Sequence, residues 1–243
     1  MRIAEQSLAH THVQPLPEGG VLLVGSRCRW RDGAAESNAA IYDADGELVR
    51  VGVLGDGIED VQTTSSGEIW ASYFDEGVYG NFGWGGPGSP EPIGSPGLIR
   101  FTSDFGIAWS YPYDDRFGGI SDCYALNVTA EEAWACYYTD FPIVRVQAGV
   151  VAGWSTEVRG ARALVVADDR VVLVGGYGED RHRVVAGTIG GEAFSPDHLA
   201  RLVMPDGRPV PSEAGILGRG SELHVVVGHS WLKLDFEDLA TDE

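Results

Sequence analysis

The sequence has almost no lysine, three cysteines, two methionines, and no apolar run long enough to cross a membrane. Each shortage narrows what the chain can be. Cys28, Cys123 and Cys136 form an odd set with no C-x-x-C pair, so neither a disulfide framework nor a zinc ribbon is implied. The opening MRIAEQSLAHTHVQPLPEGG has no basic stretch leading into an apolar core, so as written it is not an export signal. A cytoplasmic protein with reduced thiols, most simply a monomer, is the expectation. Basic charge is also scarce. Seventeen Lys and Arg face 36 Asp and Glu, a formal charge of −19 whose field repels phosphate backbones and anionic head groups. Neither nucleic acid nor a membrane is therefore expected as a partner.

Local signatures are missing as well. There is no G-x-S-x-G, P-loop, H-E-x-x-H or kinase motif. The glycine-rich GGYGED at 175–180 follows a strand with no helix behind it, which excludes a dinucleotide fingerprint. The acidic tail DFEDLATDE lacks EF-hand spacing and reads as a solvated terminus. No amphipathic helical stretch of useful length is present.

What the chain does have is a repeat of short strands. Ile58-x-Asp60 opens one unit, which continues through EIWASYF, GLIRF and GIAWSYP; Ile120-x-Asp122 opens the next, through AWACYY, IVRV and VVAGWST. Trp70 matches Trp134, Arg100 matches Arg145, and Trp109 matches Trp154. The same four-strand grammar extends outward on both sides, giving five units of roughly 48 residues, close to the usual blade period. The reading is an all-β chain, residues 1–243 as a single five-bladed β-propeller domain. The last unit has too little chain for a fourth strand, so the N-terminal RIAEQSLA is expected to close it, removing an open sheet edge.

Turn chemistry divides the two faces of such a fold. PEGG, SSGE, TAEE, ADDR, DADGE and QAGV are tight turns of one face, with no room for a site. The other face carries 27–38, 113–119 and the Gly- and Pro-rich 75–97, which reads as an ordered lid because it holds Tyr79, Phe82 and Trp84. Equivalent starts of the innermost strands, His12, Asp60, Asp122, Gly160 and Glu213, are expected to ring a central mouth. Asp60, Asp122 and His12 are the candidate catalytic groups, since proximity pushes carboxylate pKa values apart. Asp in this position also serves to accept neighbouring backbone N–H groups. Asp75, Glu76 and Asp140 add acid near the mouth; Tyr79, Trp84, Tyr113 and Tyr137 add rings, and Arg162 pairs with the carboxylates. Arg100, Arg145 and Lys233 recur on third strands and are expected to form blade-to-blade ion pairs.

The segment from Ile58 to Pro142, with EIWASYFDEGVYGNFGWGGPG, DCYALNV and AWACYYTDFP, resembles a group of uncharacterised actinobacterial proteins with propeller character. That resemblance implies the fold and a bacterial origin and assigns no activity. Five blades are also similar in architecture to arabinanase-type glycoside hydrolases, whose three catalytic acids sit in the central funnel. Here His12 stands at one of the candidate positions and the local motifs differ.

The functional expectation is a binding propeller for a small polar or cationic molecule or a peptide segment, because carboxylates and rings together suit cations and sugars. The alternative is a hydrolase, lyase or isomerase using the carboxylates as general acid and base. No cofactor or metal is expected; a divalent cation is compatible with the carboxylates but not indicated.

Overall fold

Strands alternating between apolar runs and tight turns assemble into five antiparallel sheets in the computed structural model, which describes residues 3, 8–113, 116–130 and 132–241. The first sheet joins β1 (Thr11–Pro15) and β2 (Val21–Gly25), skips a two-residue hairpin of β3 (Trp30–Arg31) and β4 (Ala34–Ala35), and continues with β5 (Ala39–Tyr42) and β6 (Leu48–Gly52). The second orders β7 (Ile58–Thr63), β8 (Ile69–Tyr73), β9 (Leu98–Phe101) and β10 (Ile107–Ser110). The third runs β11 (Asp122–Val128), β12 (Glu132–Tyr138), β13 (Ile143–Gln147) and β14 (Val150–Trp154). The fourth runs β15 (Ala161–Ala167), β16 (Arg170–Gly175), β17 (Arg183–Gly190) and β18 (Ala193–Arg201). The fifth holds β19 (Gly215–Arg219), β20 (Glu222–Val227) and β21 (Ser230–Asp235). These are the five blades of a β-propeller.

Hydrophobic pattern explains the order within each blade. Inner strands are covered on both faces, so β15 and β16 read as near-continuous apolar runs, ALVVA and VVLVG. Outer strands face solvent, and β6 leaves Leu48, Val49 and Val51 more than half exposed. The chain divides into two compact units, residues 1–123 and 124–243. In the first unit one core joins Leu22 and Val24 to Val61, Ile69, Ile99 and Phe101 of the second blade. In the second unit one core packs Trp134, Phe141 and Ile143 against Leu164, Leu173 and Phe194, and another packs Val165 and Val172 against Leu223 and Val225.

One expectation needs revision, that of a solvated tail. Among the described residues two one-turn helices occur, α1 (Asp75–Tyr79) and α2 (Phe236–Ala240), both too short to alter the all-β class. The tail is not simply solvated: Phe236, Leu239 and Ala240 are buried in the core of the last blades, with a capping box between Asp235 and Asp238 starting the turn. Burying a Phe or Leu side chain is worth about 1.5–3 kcal/mol, which outweighs the acidic character of the stretch. The N-terminal strand expected to close the fifth blade falls mostly on residues 1, 2 and 4–7, outside the described residues. Ile3 and Leu8, which are described, pack against Leu23, Ala40 and Tyr42 of the first blade. Among the described residues no helix is long and apolar enough to cross a membrane.

Candidate functional site

The 75–97 segment of the first unit is an ordered layer fastened to the 27–38 loop. Its anchor is Trp84, buried, with Nε1–H donating to the Cys28 carbonyl at 2.7 Å and its ring 5.4 Å from that of Trp30. The Trp30 N–H donates to the Phe82 carbonyl at 3.0 Å. A Cβ at Gly83, φ 93°, would collide with the Trp30 carbonyl, so the close approach needs glycine.

Beneath it lies an ion-pair cluster. The Arg27 guanidinium donates to Glu76 Oε2 at 2.6 Å and to Asp56 Oδ2 at 2.9 Å, and sits 4.2 Å from the centre of the Phe82 ring. Arg29 lies over the same ring at 4.8 Å. Asp56 is almost fully buried and also accepts the Cys28 N–H at 2.7 Å. Burial raises the Asp56 carboxyl, offset in part by the Cys28 N–H and Arg27. Hydrogen bonds from Arg27 and then Asn81 hold Glu76 below the usual range. Burial, followed by the Asp56 and Glu36 charges, pushes the Cys28 thiol up to about 12.

The expected site residues fall into distinct surroundings. On α1, Asp75 is exposed and its Oδ1 accepts the Glu76 N–H at 2.7 Å. Tyr79 leaves 68% of its surface in solvent while its hydroxyl is hydrogen-bonded to Ser121 Oγ at 2.8 Å. Tyr113 is 78% exposed. His12 Nε2 lies 2.8 Å from Ser26 Oγ, and burial, helped by His10, lowers its pKa. Asp60 Oδ1 accepts the Val61 N–H at 2.7 Å and Oδ2 accepts Gln62 Nε2 at 3.2 Å. Asp122 begins β11 and is half-buried. In the second unit, Tyr137 is fully buried on β12, whereas Asp140 and Arg162 are exposed. Thus Glu76 and Trp84 belong to one cluster, with Asp75 and Tyr79 on the helix that carries Glu76.

Among the described residues the recurrent third-strand cations pair within their own blades, not between blades. Arg100 reaches Glu68 at 3.5 Å, Arg145 reaches Glu132 at 3.8 Å, and Lys233 reaches Glu222 at 2.7 Å. Trp70, Trp134 and His224 stand directly across the ladder from these cations. The period-two spacing of Glu-x-Trp on the second strand puts acid and ring on one face, against the cation of the third.

A family model described as the YxzG family matches residues 113–174. No curated protein matches this chain in sequence. The β-propeller domain of Cps50 (Swd1) from Myceliophteria thermophila superposes with a TM-score of 0.56 at 10% identity, over 92% of this chain and 64% of that one. A protein of unknown function from Bacteroides caccae gives 0.51 at 16% identity, over 90% and 69%. Dihydro-heme d1 dehydrogenase NirN, solved in complex with DHE, gives 0.54 at 10% identity, over 90% and 40%. The likeness is one of fold. This chain spans less than two thirds of the length of NirN, of the Cps50 domain and of other solved proteins that it matches.

Sequence reasoning missed Arg27, Asp56 and Phe82 as partners. They lie on separate loops, and no spacing rule joins residues 29 and 49 positions apart, the separations of Arg27 from Asp56 and Glu76. The only signal was composition, an Arg-rich loop facing an aromatic and acidic one. Among the described residues no group of three or more His, Cys, Asp or Glu is arranged to hold a metal ion.

Proposed function

We propose that this chain is a binding propeller that recognises a small polar or cationic molecule, or a peptide segment, on the acidic and aromatic surface presented by the 75–97 segment. The observation that carries the reading is Tyr79, a ring 68% exposed yet fixed through its hydroxyl to Ser121, with the exposed carboxylate of Asp75 on the same helical turn. A solvent-facing ring held by its neighbours has already lost the rotamer freedom that binding would otherwise cost, and its face attracts cations. The Arg27 cluster and the Trp84 anchor keep that surface in one conformation.

The enzymatic alternative draws less support. Asp60 already receives a backbone N–H and a side-chain amide, the structural role open to an Asp at the start of an inner strand.

The reading is tested by following the resonances around Tyr79 by NMR while adding tetramethylammonium or the tripeptide Gly-Lys-Gly. Tyr79→Ala and Asp75→Asn should each weaken binding by about 2- to 30-fold, the range a cation–ring contact supplies, at unchanged melting temperature. Full affinity in both variants, or no response in the parent protein, refutes it.

A further inference from the structure

The second unit contains an open cleft of about 640 Å³ on the face of tight turns, where no room for a site is expected from loop length. Its lining includes Trp134 and Trp154 of the third blade, with Asp168, Asp169 and the Gly190–Gly191 turn of the fourth. The turns are as short as their sequences predict. The space lies between the edges of neighbouring blades, a dimension that turn length does not report. Its volume falls within the range of small-molecule sites, about 300–1,000 Å³.

Charge in the cleft is uneven. Glu132 and Arg145 neutralise one another at 3.8 Å, and the carboxylate of Glu132 is otherwise occupied, accepting Trp134 Nε1–H at 3.1 Å and Gln147 Nε2–H at 2.7 Å. Asp168 and Asp169 are both exposed, and their carboxylates have no hydrogen bond or ion pair among the described residues. Two uncompensated negative charges therefore share the cleft with two indoles. Those indoles are nearly parallel, 17° apart with centroids at 5.8 Å, whereas the matching pair in the second blade, Trp70 and Trp109, is tilted by 56°. Trp134 itself is buried, while the partly exposed Trp154 extends the stack toward the opening.

From this we infer that the cleft is a second binding site, distinct from the Tyr79 surface, for an alkylguanidinium or alkylammonium group. The cation meets Asp168 and Asp169, and its apolar stem lies along Trp154. Carboxylates supply the charge complement, while the indoles already carry the Arg145 guanidinium, 5.5 Å from the Trp134 and 5.8 Å from the Trp154 ring centre, so Trp154 offers the ligand an apolar wall for its stem and the aspartates hold its cation. An anion would meet the same two carboxylates unfavourably, and the single Arg145 is already neutralised by Glu132.

Agmatine, a free amine, and the tripeptide acetyl-Gly-Arg-Gly-amide present the same guanidinium from two sources. Added to the ¹⁵N-labelled full chain, either should move the Trp154 indole N–H resonance, assigned with Trp154→Phe, while leaving those of Trp70 and Trp109 in place. Response to both identifies the side-chain group alone as sufficient, and response to the tripeptide only identifies a peptide ligand. Asp168→Asn/Asp169→Asn should lower the affinity by about 2- to 30-fold, the effect of losing two exposed charge pairs. Raising the ionic strength should weaken binding to the parent protein in the same direction, a check independent of how the variant folds. A silent Trp154 with both probes, or a response unchanged by the double substitution and by salt, overturns the inference. Because Tyr79 and Asp75 are untouched throughout, its failure is separable from failure of the binding surface above.

Discussion

Replacing Asn127 by Ala should destabilise the second unit by about 2–4 kcal/mol, from one side chain with no exposed surface. Asn127 Nδ2 donates to the Leu164 carbonyl at 2.8 Å and to the Gly220 carbonyl at 2.9 Å, while Oδ1 accepts the Gly220 N–H at 2.8 Å. One amide thus ties β11 to β15 and to the turn between β19 and β20. The losses are unequal. The Gly220 carbonyl keeps a second donor, the Val166 N–H at 3.0 Å, so it is not orphaned. The Leu164 carbonyl loses the amide donor in a buried setting, and the Gly220 N–H loses its acceptor. Two stranded groups at about 1–3 kcal/mol each, softened by water reaching Gly220, give the stated range. Urea unfolding of the full chain reads it as a lower midpoint at unchanged slope. Hydrogen exchange should show the Gly220 amide losing protection first. A shift below about 1 kcal/mol would mean that water or a neighbouring donor replaces the amide, and would refute the reasoning.

Two further outcomes follow from buried titratable groups. Burial lowers the His12 pKa below its ordinary 6.5, so between those values the unfolded chain binds more protons than the folded one. Stability should therefore fall as pH drops below that ordinary value and level off above it, and His12→Gln should flatten the dependence in a series of thermal melts from neutral to mildly acidic pH. An equal slope in the variant would assign the loss to other groups. Cys28 and Cys136 are both buried and pushed up to about 12, so neither should react with a thiol reagent at pH 8 in the folded state. Both should react once the chain is unfolded in urea; modification of either in the native protein would contradict the packing.

The blades were legible because period-two alternation and turn chemistry are local signals. The correspondence of Trp70 with Trp134 and Arg100 with Arg145 survives as equivalent cross-strand pairs, Trp70 with Arg100 and Trp134 with Arg145. The partners of those cations were not legible, because Glu68 and Glu132 become neighbours of Arg100 and Arg145 only after the strands pair. The helical end of the chain was misread for a related reason. Its acidic residues dominate the composition, while its fate depends on Phe236 and Leu239 reaching a core built by other blades.

By itself the sequence determined the all-β class and the number of repeats, since both depend on spacing within a few tens of residues. Only the tertiary structure decided that Arg27 joins Asp56 and Glu76 beneath Phe82, that Trp84 is an anchor and not an open wall, and that a cleft opens among the tight turns. Those outcomes depend on distances between segments far apart in the chain. They are fixed by how buried apolar faces pack and by which polar atoms must then find partners, and no local pattern encodes either.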